Sequence, residues 1–351
     1  MIKSLINILS IALIYFGTVF GAGFASGQEI SAFFSAHKSC GVLVSLLVGF
    51  LFSFFGYIIC KKSKKYNLNS AGELFDLLFS KKIASLLNFI CMSFLAVCFC
   101  IMIAGCGALF AEQFSANAIL GTFFSLLICY IIIRNKTDGL AWFNSLITPL
   151  MIVGMIVLCV LCLNGTKLDF EGVRASDVGK ASFSGLLYLS YNIMSAAAVL
   201  VPCAKISGKP VEAGVGGALG GILITFPMVL LSKVLTDFPE TWSNQLPFFA
   251  LVYNNFPYLK LLCAIILYCA MLTTAASSGV SILAKVKDKY SGKSALILCI
   301  TAFFVSYIPF NVLVKSMYSI YGVCGIILII GIIKSFSSKK EKKSILKRKY
   351  K

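Results

Sequence analysis

Apolar residues run in long blocks broken by short polar stretches, and the blocks are of membrane length. About 20 apolar residues span a bilayer as a helix. Segments near 5–36, 40–60, 83–111, 118–133, 140–164, 182–204, 212–235, 259–284, 294–309 and 312–333 meet that requirement, within a few residues at each end. The pattern predicts an all-α polytopic membrane protein of about ten transmembrane helices, forming a single domain over 1–351. Two of these helices carry interruptions. In the first, Val19 to Glu29 reads VFGAGFASGQE, with Gly21, Gly23 and Gly27 inside seven residues and then a carboxylate. Glycine in a helix interior costs about 1 kcal/mol relative to alanine, and a charge at bilayer depth costs several more. In the sixth, LLYLSYNIMSAAAVLVPC places Ser190, Tyr191, Asn192 and Ser195 among apolar residues, with Pro202 following. Such side chains compete with the helix ladder for backbone groups, so a second break is expected there.

Composition agrees with the pattern. Hydrophobic residues make up 59% of the chain and charged residues 13%, with a mean hydropathy of +0.94. A soluble domain does not have this composition. The net charge of +18 is a matter of topology, not of nucleic-acid binding, because the basic residues sit between apolar runs and in the tail. One set of alternate loops carries Lys61, Lys62, Lys64, Lys65, Lys81 and Lys82, then Arg134 and Lys136, then Lys205 and Lys209, then Lys285, Lys287, Lys289 and Lys293. A tail, 334–351, adds nine more basic residues. The other set is acidic or balanced: Glu112, then Asp169, Glu171 and Asp177 against Lys167, Arg174 and Lys180, then Asp237 and Glu240. Both termini are therefore expected in the cytoplasm. A cleaved signal peptide ending near Ala25 is the rival reading, but its loss would leave nine spans and disturb the loop alternation. The fourteen cysteines lie mostly singly in apolar runs, as packing residues do, and His37 is the one histidine; neither a disulfide framework nor a metal cluster is expected.

Interrupted helices in corresponding places of two halves point to a transporter binding site. The halves are expected at about 5–164 and 182–333, as a 5+5 repeat with discontinuous helices 1 and 6. Unwound backbone at mid-membrane must be buried or line a wet cavity. The N–H groups of Gly21, Ala22 and Gly23 would then open a half-helix and favour a carboxylate. The run GVGGALGG, Gly214 to Gly221, instead suits close helix packing.

The stretch GAGFASGQEI followed by Phe33 and Phe34 resembles the YkvI-type bacterial membrane proteins, which look like distant members of the amino acid–polyamine–organocation superfamily. The resemblance implies a leucine-transporter-type inverted repeat, a bacterial cytoplasmic membrane and an amino acid permease role. In sodium-coupled members the ion sits between the first-span break and span eight. Carried onto this chain, its ligands would be the carbonyls of Gly17, Phe20 and Ala270 and the hydroxyls of Thr273 and Thr274. Sodium would be the coupling ion, with no other cofactor. The solute site would comprise Gly21, Ala22, Gly23, Ser26, Gly105, Tyr188, Tyr191, Asn192 and Ser195, with carbonyls near Tyr191 and Asn192 receiving an ammonium group. Span three lacks the tyrosine that touches substrate in the superfamily's amino acid transporter, so Tyr188 or Tyr191 would substitute. Glu29 has three roles open to it: binding a cationic group, carrying a coupling proton, or satisfying loose N–H groups of the half-helix. The functional expectation is a secondary transporter of a small zwitterionic solute. A nutrient receptor of the same fold is the alternative. No enzyme chemistry and no phosphate-cradling G-x-x-x-x-G-K-[ST] loop is visible.

Overall fold

A computed structural model describes residues 2–115, 117–134, 136–163, 167–170, 173–283, 286 and 288–337. Among these residues all regular structure is helical. In chain order the helices are α1 (Ile2–Val19), α2 (Ala22–Ala25), α3 (Gln28–Phe33), α4 (Lys38–Tyr66), α5 (Ala71–Leu78), α6 (Lys81–Phe114) and α7 (Ala118–Arg134). The second half holds α8 (Lys136–Cys162), α9 (Ala175–Cys203), α10 (Pro210–Asp237), α11 (Pro247–Asn255), α12 (Lys260–Leu283), α13 (Asp288–Val305) and α14 (Phe310–Ser337). Among the described residues six segments are long and apolar enough to cross a membrane, and four shorter apolar helices accompany them. Large apolar side chains such as Phe50, Phe89 and Phe304 stand exposed on the outside, an arrangement that water penalises and hydrocarbon does not. This is a membrane protein.

The first span is broken where the glycines stand. α1 stops at Val19, and the N–H of Gly21 turns back to the Val19 carbonyl at 2.8 Å instead of continuing the ladder. A second interruption follows at Gly27, whose φ of +80° lies in the left-handed region that a side chain disfavours. The sixth span corrects the expectation of a matching break: α9 runs unbroken from Ala175 to Cys203. The polar residues there satisfy themselves without releasing backbone. Asn192 Nδ2 donates to the Tyr188 carbonyl at 3.0 Å, one turn back. Ser190 Oγ donates to the carbonyls of Leu187 (2.9 Å) and Gly322 (2.5 Å). The stretch 186–203 also contains no glycine. The Tyr191 and Asn192 carbonyls lie within this continuous helix, which removes the unwound backbone expected to receive an ammonium group.

The glycine run of α10 is a packing surface, as expected. A Cβ on Gly217 would lie 2.2 Å from the Gly56 carbonyl oxygen, and one on Gly221 would lie 2.3 Å from the Ser53 nitrogen. Backbone meets backbone between α4 and α10, which only glycine permits. This pair gives the broken first span a rigid wall, because Gly220 of α10 also faces Tyr15 of α1.

Candidate functional site

The break in the first span brings α2 and α3 against α9, α12 and α14. Between them lies a cavity of about 10 Å³, lined by Thr18, Gly21, Glu29, Cys98, Tyr191, Asn192, Ser195, Thr274 and Tyr318, with Val19, Phe94 and Met102 closing it. That is room for about one water. The site is closed around itself.

Glu29 is its centre. It is 3% exposed, and Tyr191 Oη donates to its Oε2 at 2.7 Å. Among the described residues no Lys, Arg or His pairs with it. Its carboxylate folds back over the first turn of α2: a Cβ on Gly23 would meet Glu29 Oε1 at 2.0 Å. The place expected for a solute carboxylate is thus filled by the chain's own. Phenols surround the acid on the far side. Tyr191 packs on Tyr318 with ring centroids 4.7 Å apart, and Tyr318 Oη lies 3.9 Å from Cys98 Sγ.

The expected site residues divide. Gly21, Tyr191, Asn192 and Ser195 line the cavity beside Glu29, and Gly23 lies under its carboxylate. Ala22 opens α2, where a first turn has N–H groups without intrahelical partners. Gly21 does not offer a free N–H, because Val19 holds it. Three residues lie elsewhere. Ser26 turns inward: its Oγ donates to the Gly23 carbonyl, and its own carbonyl accepts from Phe248 N of α11 at 2.8 Å. Gly105 packs on Phe310 and Met271. Tyr188 packs at steep ring angles on Phe33 and Phe34, its buried hydroxyl without a partner. Phe94, Cys98 and Tyr318 were not legible in the sequence, because an apolar-span aromatic or thiol carries no mark of the face it will occupy.

The candidate cation ligands cluster at the same break. Thr274 Oγ1 is buried without a hydrogen-bond partner, 3.2 Å from where a Cβ on Gly21 would be. Thr273 Oγ1 donates to the Ala270 carbonyl at 3.0 Å, so two of the expected ligands are bonded to each other. Gly17 faces a hydroxyl that the sequence did not single out: Thr148 Oγ1 of α8, fully buried and also unpartnered. Phe20 is buried in the break itself. Among the described residues no group of three or more His, Cys, Asp or Glu could hold a metal, and no two cysteines form a disulfide.

Phe33 packs on Tyr188 and Tyr191 at 5.7 and 5.8 Å and also lines a second, larger cavity.

Comparison with known proteins places this architecture. The chain is homologous to the uncharacterized membrane protein YkvI of Bacillus subtilis (strain 168), with 26% identity covering 89% of this chain and 91% of the relative. The uncharacterized protein YyaD of the same organism is 22% identical over 92% of this chain and 94% of that protein. No protein-family model matches. Among solved structures, a substrate-bound, outward-open Na⁺-coupled sialic acid symporter superposes with a TM-score of 0.61 at 12% identity, over 91% of this chain and 75% of that one. A manganese transporter of Eremococcus coleocola, in complex with an aromatic bis-isothiourea substituted compound, gives 0.52 at 13% identity, over 97% and 74%. The chain has the fold of these transporters. None of these four proteins is named as an enzyme.

Proposed function

We propose that the protein is a secondary transporter moving a small zwitterionic solute, an amino acid in the first instance, by alternating access around the broken first span. The observation that carries this reading is the closed site at the break: unwound backbone at Phe20–Gly21, a buried carboxylate and a one-water cavity. Backbone and charge are held at that depth only where something binds or passes. A solute cannot enter the site as it stands, so binding requires the first span to move. The solute's ammonium group would take the place of the Tyr191 hydroxyl as partner of Glu29. Its carboxylate would take the N–H groups of Ala22 and Gly23 once Glu29 swings away. The names of the structural neighbours, both transporters, support the class.

Sodium is the proposed coupling ion, at the carbonyls of Gly17, Phe20 and Ala270 with Thr273 and Thr274. Its support is the pair of unpartnered buried hydroxyls, Thr274 and Thr148, that flank the break. Uncharged oxygens of this kind suit a monovalent cation. A second reading has its own observation. Glu29 has no cationic partner among the described residues, and an unpaired buried charge costs several kcal/mol, so a proton on Glu29 would neutralise the empty site.

Uptake of a labelled amino acid mixture into proteoliposomes tests both, under an inward sodium gradient, a proton gradient, or neither. Accumulation that requires sodium and is lost in the Thr273→Ala/Thr274→Ala variant establishes the cation site. Proton-driven uptake indifferent to sodium transfers coupling to Glu29. Saturable binding without flux under any gradient rejects transport in favour of a receptor.

A further inference from the structure

A groove of about 510 Å³ opens between α6, α12, α13 and α14. On α6 its residues Ala96, Val97 and Cys100 alternate with Phe94, Cys98 and Met102 of the closed site. The helical repeat puts these two sets on opposite faces, so groove and site stand back to back across one helix. The groove lies among the apolar side chains exposed on the outside of the molecule, Ile297 and Ile308 among them. Its lining side chains are apolar but for two hydroxyls and a thiol. Thr301 Oγ1 donates to the Ile297 carbonyl at 2.9 Å and so turns away from any occupant. A cysteine such as Cys100 packs as a small hydrophobe. Ser294, the other hydroxyl, stands at one end. Ordered water needs several polar partners, which this surface does not offer. Hydrocarbon fills such a groove.

Its dimensions and its charge say which hydrocarbon. Along α13 the groove runs from Ser294 to Val305, about 16 Å at the helical rise per residue. One leaflet of a bilayer core is about 15 Å deep. Spread over that length, the volume leaves a section of about 30 Å², room for one extended chain, whereas a helix of about 10 Å diameter does not seat in it. The two ends differ. Lys293 stands exposed beside Ser294, and 285–293 reads KVKDKYSGK, four lysines to one aspartate. The opposite end, 306–311, reads SYIPFN and carries no charge. We propose that the groove is a specific lipid site that seats one acyl chain of an anionic phospholipid. The phosphate lies at the Lys293 end, where clustered lysines attract anionic headgroups, and the chain runs past Thr301 towards Ile308. A lysine stem lies along apolar surface while its ammonium reaches the interface, which suits this position. On α14, Met317 lines the groove while its neighbour Tyr318 lines the closed site. The seated chain therefore braces the wall of that site from behind, whatever the site moves.

Photolabelling of the full-length protein in phosphatidylcholine nanodiscs tests this. The probe is phosphatidylglycerol carrying a diazirine in one acyl chain, and labelled residues are mapped by mass spectrometry. The exposed face of α7, with Phe123, Phe124 and Leu127, reports ordinary contact with bulk lipid. Label in the groove, at 294–305 and 96–100, should saturate with probe, and unlabelled phosphatidylglycerol should displace it at least fivefold better than phosphatidylcholine does. Label on α7 should rise in proportion to probe and show no such preference. Groove label that merely tracks α7 means bulk lipid only and overturns the proposal. Lys293→Gln, an exposed change, should cut the headgroup preference about fivefold, the share of one lysine near an anionic surface. An unaltered preference would reject the placement of the phosphate. Leu298→Trp fills the groove and should remove its label while that on α7 persists; retained groove label would reject the seating of the chain. Absence of groove label in the parent, together with a dimer in the native mass spectrum, would give the groove to a second copy and defeat the lipid site.

Discussion

Gly23 leaves no room for any side chain, since even a methyl would overlap Glu29 Oε1 at 2.0 Å. Glu29 is at once the residue hardest to bury and the one the break is shaped around. Two outcomes follow at this scale. Gly23→Ala should lower uptake at least tenfold with normal expression and a monodisperse elution profile, because it expels the carboxylate and not the fold; Gly23→Leu should abolish uptake, and unchanged uptake would reject the broken-span site. Tyr191→Phe removes the one side-chain donor to Glu29 among the described residues. A hydrogen bond to a charged group contributes about 1.5–3 kcal/mol, and here it competes with the solute's ammonium for Glu29, so the apparent Kd for solute should fall, by at most roughly one to two powers of ten, and a weakened affinity would reject the exchange of partners. Glu29 itself was legible as an intramembrane carboxylate, but Tyr318 and Phe94, which wall it in, were not. A residue's chemistry can be read locally, whereas its neighbour across the bundle cannot.

At the scale of elements, the two interruptions that looked alike in sequence behave differently. Glycines break the first span because they bring neither packing nor rotamer restraint to hold a helix, and Gly27 supplies the left-handed turn. Serine and asparagine leave α9 whole because their short polar groups bond back along it. The glycines of α10 do a third thing, admitting α4 to backbone contact. Gly217→Leu should therefore lower the thermal aggregation midpoint of detergent-solubilised protein. Forcing a side chain into such an interface costs about 1–3 kcal/mol or more. Gly179→Ala and Gly292→Ala, with open space around the new Cβ, should leave that midpoint in place.

Across the whole molecule, three of the basic segments that the charge pattern groups together are in contact. Lys64 Nζ donates to the Lys205 carbonyl, Lys205 reaches Asn69, and Lys62 Nζ reaches the Ser335 carbonyl. The loop charges predict cytoplasmic termini: green fluorescent protein fused after Lys351 should then fluoresce and alkaline phosphatase fused there should be inactive, while phosphatase inserted at Glu240 should be active. The reverse pattern would invert the topology. Membrane class and the break in the first span were determined by the sequence, because each depends on local hydropathy or backbone freedom. Tertiary structure alone decided that α9 stays continuous and that Glu29 lies over Gly23 with Tyr191 as partner, since these depend on which helix faces come together. Residues 162 apart, such as Glu29 and Tyr191, carry no sequence signal of their meeting. Only packing brings them into one site.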